Sequence, residues 1–310
     1  MNPAAVGAQS ENSPGSAPRI GVALGSGASR GLAHIGVMRA LEEAGVEVSC
    51  IAGTSMGAFV GSVYASGNLA RFEADFSAFD WRSIAALLDP VFPRSGLIDG
   101  RKIGAFLERY ISERRLEDLS LKFCAVATEL LSGAEIVIDS GQVTDAVRAS
   151  IAVPGLLTPL VLNGRILLDG GLVNPVPVSV VREMGADLVI AVDVSHDVLR
   201  NRLARIHEAA TAAGSRRLHE VLRNINSPAA VQLDAWVHRS SVPGILDVLM
   251  SAIYVMQGQI ARTNLEHHRP DLLIRPALGE MRFMDFDRAG EIIELGYRAA
   301  HDALATWVRT

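Results

Sequence analysis

The pattern of apolar and polar positions predicts two successive strand–loop–helix units near the start of the chain. The apolar run at 20–24 ends in a glycine-rich loop at 25–31, and a helical pattern of apolar positions follows as far as Gly45. A second apolar run, 46–52, ends in the turn 53–57 and leads into a stretch of small residues with helical periodicity. Two consecutive units of this kind favour a largely parallel sheet covered by helices.

The remainder of the chain continues this alternation of strand and helix patterns. Residues 68–118 have a helical pattern that is broken in the middle by Pro90, Pro93 and Gly96. Further elements are predicted as strands at 121–128, 135–138, 186–194 and 271–274, a hairpin at 160–168, and helices at 143–151, 178–184 and 287–308. The order of these elements predicts an α/β fold with a central, mostly parallel sheet flanked by helices.

The two ends of the pattern suggest how the chain is divided. Residues 1–18 end in Ser-Pro-Gly-Ser-Ala-Pro and have neither the charged start nor the apolar stretch of a secretory signal, so we expect a flexible N-terminal tail. Residues 19–310 are expected to form one domain, because α/β folds of this length are often built on one sheet. Residues 196–265 are mostly helical in pattern, and we expect a lid-like segment over or beside a functional site.

The longest apolar window of the chain, 244–261, has two interpretations. Its apolar residues run nearly all round a helix, which is typical of a buried helix. The alternative is a lid or an element that faces a membrane surface. Three polar residues interrupt the window, namely Asp247, Gln257 and Gln259. The window therefore falls short of a membrane-spanning helix.

Composition and charge exclude several classes of protein. Apolar residues make up 49% of the 310 residues and charged residues 20%, as in an ordinary folded globular protein. The 29 Lys and Arg residues against 34 Asp and Glu residues give a net charge of −5, so nucleic-acid binding through a basic excess is excluded. Cys50 and Cys124 lie in apolar segments and are expected to be buried thiols in a reducing compartment. We expect a cytoplasmic location, with peripheral contact at a membrane left open.

The turn Gly53-Thr54-Ser55-Met56-Gly57 fits the pattern of a nucleophile elbow, G-x-S-x-G, with a predicted strand before it and a helix after it. Such a turn imposes strained backbone angles on the serine, and Gly53 and Gly57 remove side chains that would clash. The hydroxyl of Ser55 would then project into a cleft at the N-terminus of a helix. A plain helix N-cap is the alternative for Ser55.

The glycine loop at 25–31 can hold either a dinucleotide pyrophosphate or an oxyanion, since both are bound by backbone N–H groups of such turns. A dinucleotide-binding G-x-G-x-x-G motif that begins at Gly25 would need glycine at position 30, where the chain has Arg30. The second strand also leads into the serine turn and not to a ribose-binding acid. The sequence therefore favours an oxyanion site with unhindered N–H groups at Gly27 and Ala28.

A nucleophilic serine needs a base, and two kinds of residue are available. The chain has eight histidines, and all but His34 follow Ser55 in polar or charged helical stretches, where a solvated histidine is expected. His34 is expected to support the glycine loop. Asp169 lies at the exit of the predicted hairpin, with Gly170 and Gly171 behind it to permit a tight turn. A carboxylate activates serine directly only when it is partly desolvated, and Asp-Gly-Gly is also a common turn.

Taken in this order, the glycine loop, the serine turn and Asp169-Gly170-Gly171 resemble the motifs of the patatin-like phospholipase family. The stretches that follow the first and third motifs, 31–37 and 171–177, also look like that family. The resemblance extends over about residues 19–195 and, more loosely, over the last predicted strand and helix. The chain looks most like the bacterial stand-alone members that are similar to the catalytic domain of neuropathy target esterase.

The resemblance implies a three-layer sandwich and a serine lipid acyl hydrolase of phospholipase or lysophospholipase type, with a lipid or lysophospholipid substrate. It implies a Ser–Asp dyad without histidine, here Ser55 and Asp169. The motif-supporting residues are then Gly53, Gly57, Gly170 and Gly171. The family's oxyanion hole transfers to the loop residues Gly25, Ser26, Gly27 and Ala28, with Arg30 and Gly31 closing the motif. Ser26 and Ala28 stand where the family usually has glycine, but small side chains still allow close approach.

Other functions stay open at this point. A Ser-His-Asp esterase, a non-catalytic or regulatory patatin-like protein, and a nucleotide-binding protein that tolerates Arg30 are the alternatives. We expect no metal and no cofactor, because no cluster of Asp and His has the spacing of metal ligands.

Overall fold

A computed structural model describes residues 17–91, 96–197 and 245–307 of the chain. Nearly all of the predicted N-terminal tail and most of the predicted lid-like segment lie outside the described residues, so both remain predictions. Within the described part, the predicted α/β class is confirmed, with helices packed on both faces of one sheet.

Eight strands of the described chain form the sheet. In chain order they are β1 Ile20–Leu24, β2 Val48–Thr54, β3 Lys122–Glu129, β4 Glu135–Ile138, β5 Leu160–Leu162, β6 Arg165–Asp169, β7 Leu188–Val192 and β8 Leu272–Ile274. The strands β3, β2, β1, β7 and β8 are parallel neighbours in that order. The remaining strands, β4, β5 and β6, pair antiparallel at the β3 side of the sheet.

One edge of β3 changes its partner halfway along the strand. Residues as far as Val126 pair with β2, whose last residue, Thr54, lies opposite Val126. From Ala127 onward β3 pairs with β6, and Asp169 lies opposite Ala127. Because β4 pairs with β3 at Ala125 and Ala127 as well, it occupies the other edge. The ends of β2 and β6 therefore meet side by side along β3.

The helices of the described chain are α1 Ala33–Glu43, α2 Met56–Ala65, α3 Leu69–Ser77, α4 Trp81–Leu87, α5 Arg101–Leu107, α6 Val143–Ser150, α7 Val178–Glu183, α8 Ile245–His267 and α9 Ala289–Trp307. Within the predicted helical region 68–118, the described residues form three separate α-helices, α3, α4 and α5, and a short 3-10 helix at Leu116–Asp118. The hairpin around Asn163-Gly164 is confirmed, with both residues at positive φ.

The alternation of side chains along the strands divides the core into two layers. Val22 and Leu24 of β1 face one layer, which also contains apolar residues of α1, α2 and α9. Ala23 faces the other layer, which contains residues of α7 and α8. Cys50 and Cys124 belong to this second layer and are buried free thiols, as expected. The arrangement is helix, sheet and helix, the three-layer sandwich implied by the resemblance.

Helix α8 has one buried face and one exposed face. The buried face consists of Ile253, Tyr254, Gln257, Ala261 and Leu265. The opposite face exposes apolar side chains, namely Val248, Leu249, Val255 and Met256. The interpretation of this window as a helix buried on all sides is therefore wrong, because only the face of α8 that packs on the sheet is buried and the outer face is exposed. None of the helices in the described residues has both the length and the apolar character needed to cross a bilayer.

Candidate active site

Ser55 occupies the turn between β2 and α2 in a strained backbone conformation. Its φ of 57° and ψ of −121° lie in a region that residues with a side chain rarely adopt. The main-chain N–H of Ser55 donates a hydrogen bond of 2.8 Å to the hydroxyl of Ser150, and that hydroxyl donates to the carbonyl of Val126 at 2.6 Å. Ser150 thus ties the strained turn to β3, a role that no sequence motif indicated.

The glycines of this turn allow the chain to pass very close to its neighbours. A Cβ atom on Gly57 would lie 2.1 Å from the carbonyl oxygen of Leu24 at the end of β1. A Cβ atom on Gly53 would lie 2.5 Å from the backbone nitrogen of Ala58. Neither contact can relax without moving backbone, so both positions require glycine for the turn to form.

Asp169 is the last residue of β6 and is only 1% exposed. Its Oδ2 accepts a hydrogen bond of 2.6 Å from the hydroxyl of Ser55, and its Oδ1 accepts one of 2.7 Å from the N–H of Gly171. Burial raises the pKa of Asp169 to about 6, and the two hydrogen bonds oppose that rise only in part. Gly170 packs against β3, since a Cβ atom there would lie 2.2 Å from the carbonyl oxygen of Val126.

The glycine loop lies beside this pair, but only part of its backbone is free to bind a ligand. The N–H of Gly25 donates to the carbonyl of Val192 at 3.1 Å, and the N–H of Ser26 donates to the carbonyl of Pro175 at 2.8 Å. The N–H groups of Gly27 and Ala28 make no hydrogen bond to another described residue. Of the four loop residues that the resemblance implies, two therefore retain an available N–H.

The end of the loop packs between the serine turn and α8. Gly31 faces Met56, since a Cβ atom on Gly31 would lie 2.4 Å from the Cγ of Met56. The side chain of Arg30 is buried, donates from Nη1 to the carbonyl of Met281 at 3.3 Å, and lies 4.8 Å from the centre of the Tyr254 ring. Arg30 therefore fastens the loop to its surroundings and does not line the cleft beside Ser55.

His34, in the first turn of α1, forms a hydrogen bond to the glycine loop. Its Nε2 lies 2.7 Å from the carbonyl oxygen of Gly25, so Nε2 carries the proton and donates it. Burial lowers the pKa of His34 to about 4, which keeps the ring neutral at neutral pH. Among the described histidines, none forms a hydrogen bond with Ser55 or Asp169. Three further histidines lie outside the described residues: His207, His219 and His238.

Two pockets meet at Ser55. An apolar pocket extends from Ala28 and Ser55 between α2, α4, α5 and the loop before α9, past Phe59 and Phe106. A smaller pocket lies between the glycine loop, Asp169 and α8; we call it the side pocket. In the residues that the structure describes, no cluster of His, Cys, Asp and Glu side chains is arranged to hold a metal ion.

Comparison with known proteins assigns the chain to a family. The family model described as patatin-like phospholipase matches residues 22–182. An NTE family protein of Mycobacterium tuberculosis is 34% identical over 93% of this chain and 92% of its own. The chain therefore belongs to the patatin-like phospholipase family.

More distant relatives include much longer proteins. Human patatin-like phospholipase domain-containing protein 6 is 30% identical over 94% of this chain but only 20% of its own length. Lysophospholipase NTE1 of Debaryomyces hansenii is 29% identical over 94% of this chain and 18% of its own. This chain thus corresponds to about a fifth of either protein.

Proposed function

We propose that the protein is a serine lipid acyl hydrolase in which Ser55 is the nucleophile and Asp169 is the general base. The observation that carries the proposal is the 2.6 Å hydrogen bond from the Ser55 hydroxyl to the buried carboxylate of Asp169. A carboxylate with its pKa raised to about 6 is a stronger base than a solvated one and is still ionised at neutral pH. Membership of the patatin-like phospholipase family supports a lipid ester as substrate.

The first half of the reaction forms an acyl-enzyme. Asp169 takes the proton of Ser55 as the Oγ of Ser55 attacks the carbonyl carbon of the ester. The N–H groups of Gly27 and Ala28 stabilise the negative charge that develops on the carbonyl oxygen. Asp169 then gives the proton to the oxygen of the departing alcohol, and the acyl group stays on Ser55.

In the second half of the reaction, a water molecule takes the place of the alcohol. Asp169 accepts a proton from a water molecule, which attacks the acyl carbonyl, and the same N–H groups stabilise the second oxyanion. The proton returns to Ser55 as the fatty acid leaves. No histidine takes part in either step of the proposed reaction, because Asp169 accepts and returns the proton directly. In the resting site the two oxygens of Asp169 accept hydrogen bonds from Ser55 and Gly171.

The apolar pocket is suited to the acyl chain of the substrate. It is lined almost entirely by aliphatic and aromatic side chains and begins at the hydroxyl of Ser55. A hydrocarbon chain placed there leaves water and gains roughly 0.8 kcal/mol for each CH₂ group buried. We expect long-chain esters to be preferred over short ones for this reason.

We further propose that the protein takes its substrate from a lipid aggregate through peripheral contact made by α8. One face of this helix lines the side pocket with Met250, Ile253 and Tyr254. The other face exposes Val255 and Met256 to the extent of 42% and 51%. An apolar surface on the helix that borders the site is a suitable place for contact with lipid chains.

Covalent labelling tests the assignment of the nucleophile. A fluorophosphonate probe should label the protein once, and peptide mapping should locate the label on Ser55. Ser55→Ala should abolish labelling and lower kcat for p-nitrophenyl ester hydrolysis by several orders of magnitude without loss of fold. Ser62→Ala, which changes another buried serine on α2, should leave both unchanged. Normal activity in a folded Ser55→Ala protein would refute the proposal.

A further inference from the structure

Gln257 brings an amide group to the site from outside the three sequence motifs. It lies on the buried face of α8, is 6% exposed, and lines the side pocket together with Ser55 and Asp169. A Cβ atom on Gly171 would lie 2.5 Å from the Nε2 of Gln257 and 2.9 Å from the Oδ1 of Asp169. The amide of Gln257 and the carboxylate of Asp169 therefore both lie against the Cα of Gly171, close to each other.

Two polar side chains of this pocket, Gln257 and Ser26, have no hydrogen-bond partner among the described residues. The amide of Gln257 opens into the side pocket and forms no hydrogen bond to another described residue. The hydroxyl of Ser26, whose residue is 4% exposed and lines the same pocket, also has no partner in the described part of the chain. Buried polar groups are normally satisfied, because an unmade hydrogen bond there is costly. The side pocket is thus built to receive a ligand that carries hydrogen-bonding groups.

The chemistry of the proposed reaction decides which part of the substrate enters this pocket. The departing alcohol takes its proton from Asp169, so its oxygen must lie on the side of Ser55 where Asp169 lies. Asp169 lines the side pocket and is absent from the lining of the apolar pocket. The acyl chain therefore extends into the apolar pocket, and the alcohol lies beside Gln257.

We propose that Gln257 binds a free hydroxyl group of the alcohol portion and thereby selects esters of polyols such as glycerol. This inference rests on the proposed hydrolase function. A primary amide can donate a hydrogen bond to a hydroxyl group and accept one from it. The hydroxyl group that Gln257 would bind is the one on the alcohol carbon next to the carbon that carries the ester oxygen. An ester whose alcohol portion has no free hydroxyl group would leave the amide of Gln257 unpaired. Such esters are therefore disfavoured even when their acyl chain is the same.

A matched pair of monomeric substrates tests the proposal. The measurement is kcat/KM for 1-hexanoylglycerol and for propyl hexanoate, which share an acyl chain and a three-carbon alcohol and differ only in the two hydroxyl groups. The wild-type protein should prefer the glycerol ester. Gln257→Leu should lower that preference by about tenfold, the size of one lost buried hydrogen bond. Gln259→Leu, an exposed position on the same helix, should leave the preference unchanged.

The design separates the two proposals. The preference is a ratio measured on one preparation, so it does not depend on the folded fraction, and Gln257→Met serves as a second variant if Gln257→Leu does not fold. Equal hydrolysis of both esters by the wild type, or an undiminished preference in the folded Gln257 variants, overturns the role of Gln257 alone. If the wild type hydrolyses neither ester, the proposed hydrolase function fails as well.

Discussion

Thr54 and Asp169 pair with adjacent residues along one edge of β3, the former with Val126 and the latter with Ala127. This register brings the start of the serine turn and the carboxylate together through backbone hydrogen bonds of the sheet. The distance between the Ser55 hydroxyl and Asp169 is thus set by rigid strands and not by loops. A site held in this way has little reorganisation to make when the substrate binds.

The first prediction separates a dyad from a triad. If Asp169 is the base, Asp169→Asn should lower kcat about as far as Ser55→Ala does, and the double variant should be little worse because the two residues act as a unit. Each histidine replaced singly by Gln should leave substantial activity, with His34→Gln the most affected through the loop. A histidine variant that is folded, yet as inactive as Ser55→Ala, would contradict the dyad.

The second prediction concerns the pH dependence of the reaction. Only the ionised carboxylate of Asp169 can accept the proton of Ser55, and burial raises the pKa of this group to about 6. The value of kcat/KM should therefore fall as the pH drops through about 6, with the slope of a single titrating group. Initial rates measured at constant ionic strength between pH 4 and 8 test this. An acid limb near the value of a solvated aspartate would contradict the assignment.

The third prediction uses the stability of the protein to examine His34. Burial lowers its pKa from 6.5 to about 4, so between these values the unfolded chain binds a proton that the folded chain does not. The folded state therefore loses stability as the pH falls through this window, by up to about 3 kcal/mol. In His34→Gln the amide can still donate to Gly25, but this titration is gone.

The two proteins should consequently differ in how acid affects them. Urea unfolding of wild type and His34→Gln at pH 7.5 and 4.5 gives the free energy of unfolding of each. The wild type should lose about 2–3 kcal/mol more than the variant over this range. The titration of Asp169 has the opposite sign but is common to both proteins, so it cancels in the comparison. Parallel losses in the two proteins would show that His34 is not neutral in the folded state.

The parts of the site that could be predicted from the sequence are those that depend on local patterns. Apolar runs followed by glycine turns and helical periodicity located the turn of Ser55 and the glycine loop correctly. The position of Asp169 beside Ser55 depends on the pairing of β6 with β3, which joins segments far apart in the chain. Only the resemblance to a family suggested that Ser55 and Asp169 meet, and nothing in the sequence predicted the strand pairing, because spacing alone does not encode strand register.

The parts that could not be predicted depend on tertiary contacts. The carbonyl groups of Val192 and Pro175 accept hydrogen bonds from the N–H groups of Gly25 and Ser26. These tertiary contacts decide which N–H groups of the loop remain free. Gln257 was visible only as a polar interruption of an apolar window. Its spacing of three and four residues from Tyr254 and Ala261, on the buried face of α8, is the signal that could have identified it.

The last prediction concerns the exposed face of α8. Val255 and Met256 are about half exposed, so replacing both with Ser should cost little folding stability. If this face contacts lipid, the double variant loses about 1 kcal/mol of membrane-binding free energy at each position. Its partition coefficient from water into vesicles should then fall about thirtyfold. Flotation with phosphatidylcholine vesicles measures that partition. Leu131→Ser, which removes an apolar side chain that is 83% exposed and distant in sequence from α8, is the control.

The rates of hydrolysis provide an independent check on the same variant. Hydrolysis of a monomeric ester should be equal in wild type and the Val255, Met256 double variant, because neither side chain lines the pockets that meet at Ser55. Hydrolysis of a long-chain ester above its critical micelle concentration should fall in the double variant only, since contact with the aggregate then limits access to the site. Equal rates on both sides of that concentration in the wild type, together with unchanged flotation of the variant, would mean that this face of α8 does not contact lipid.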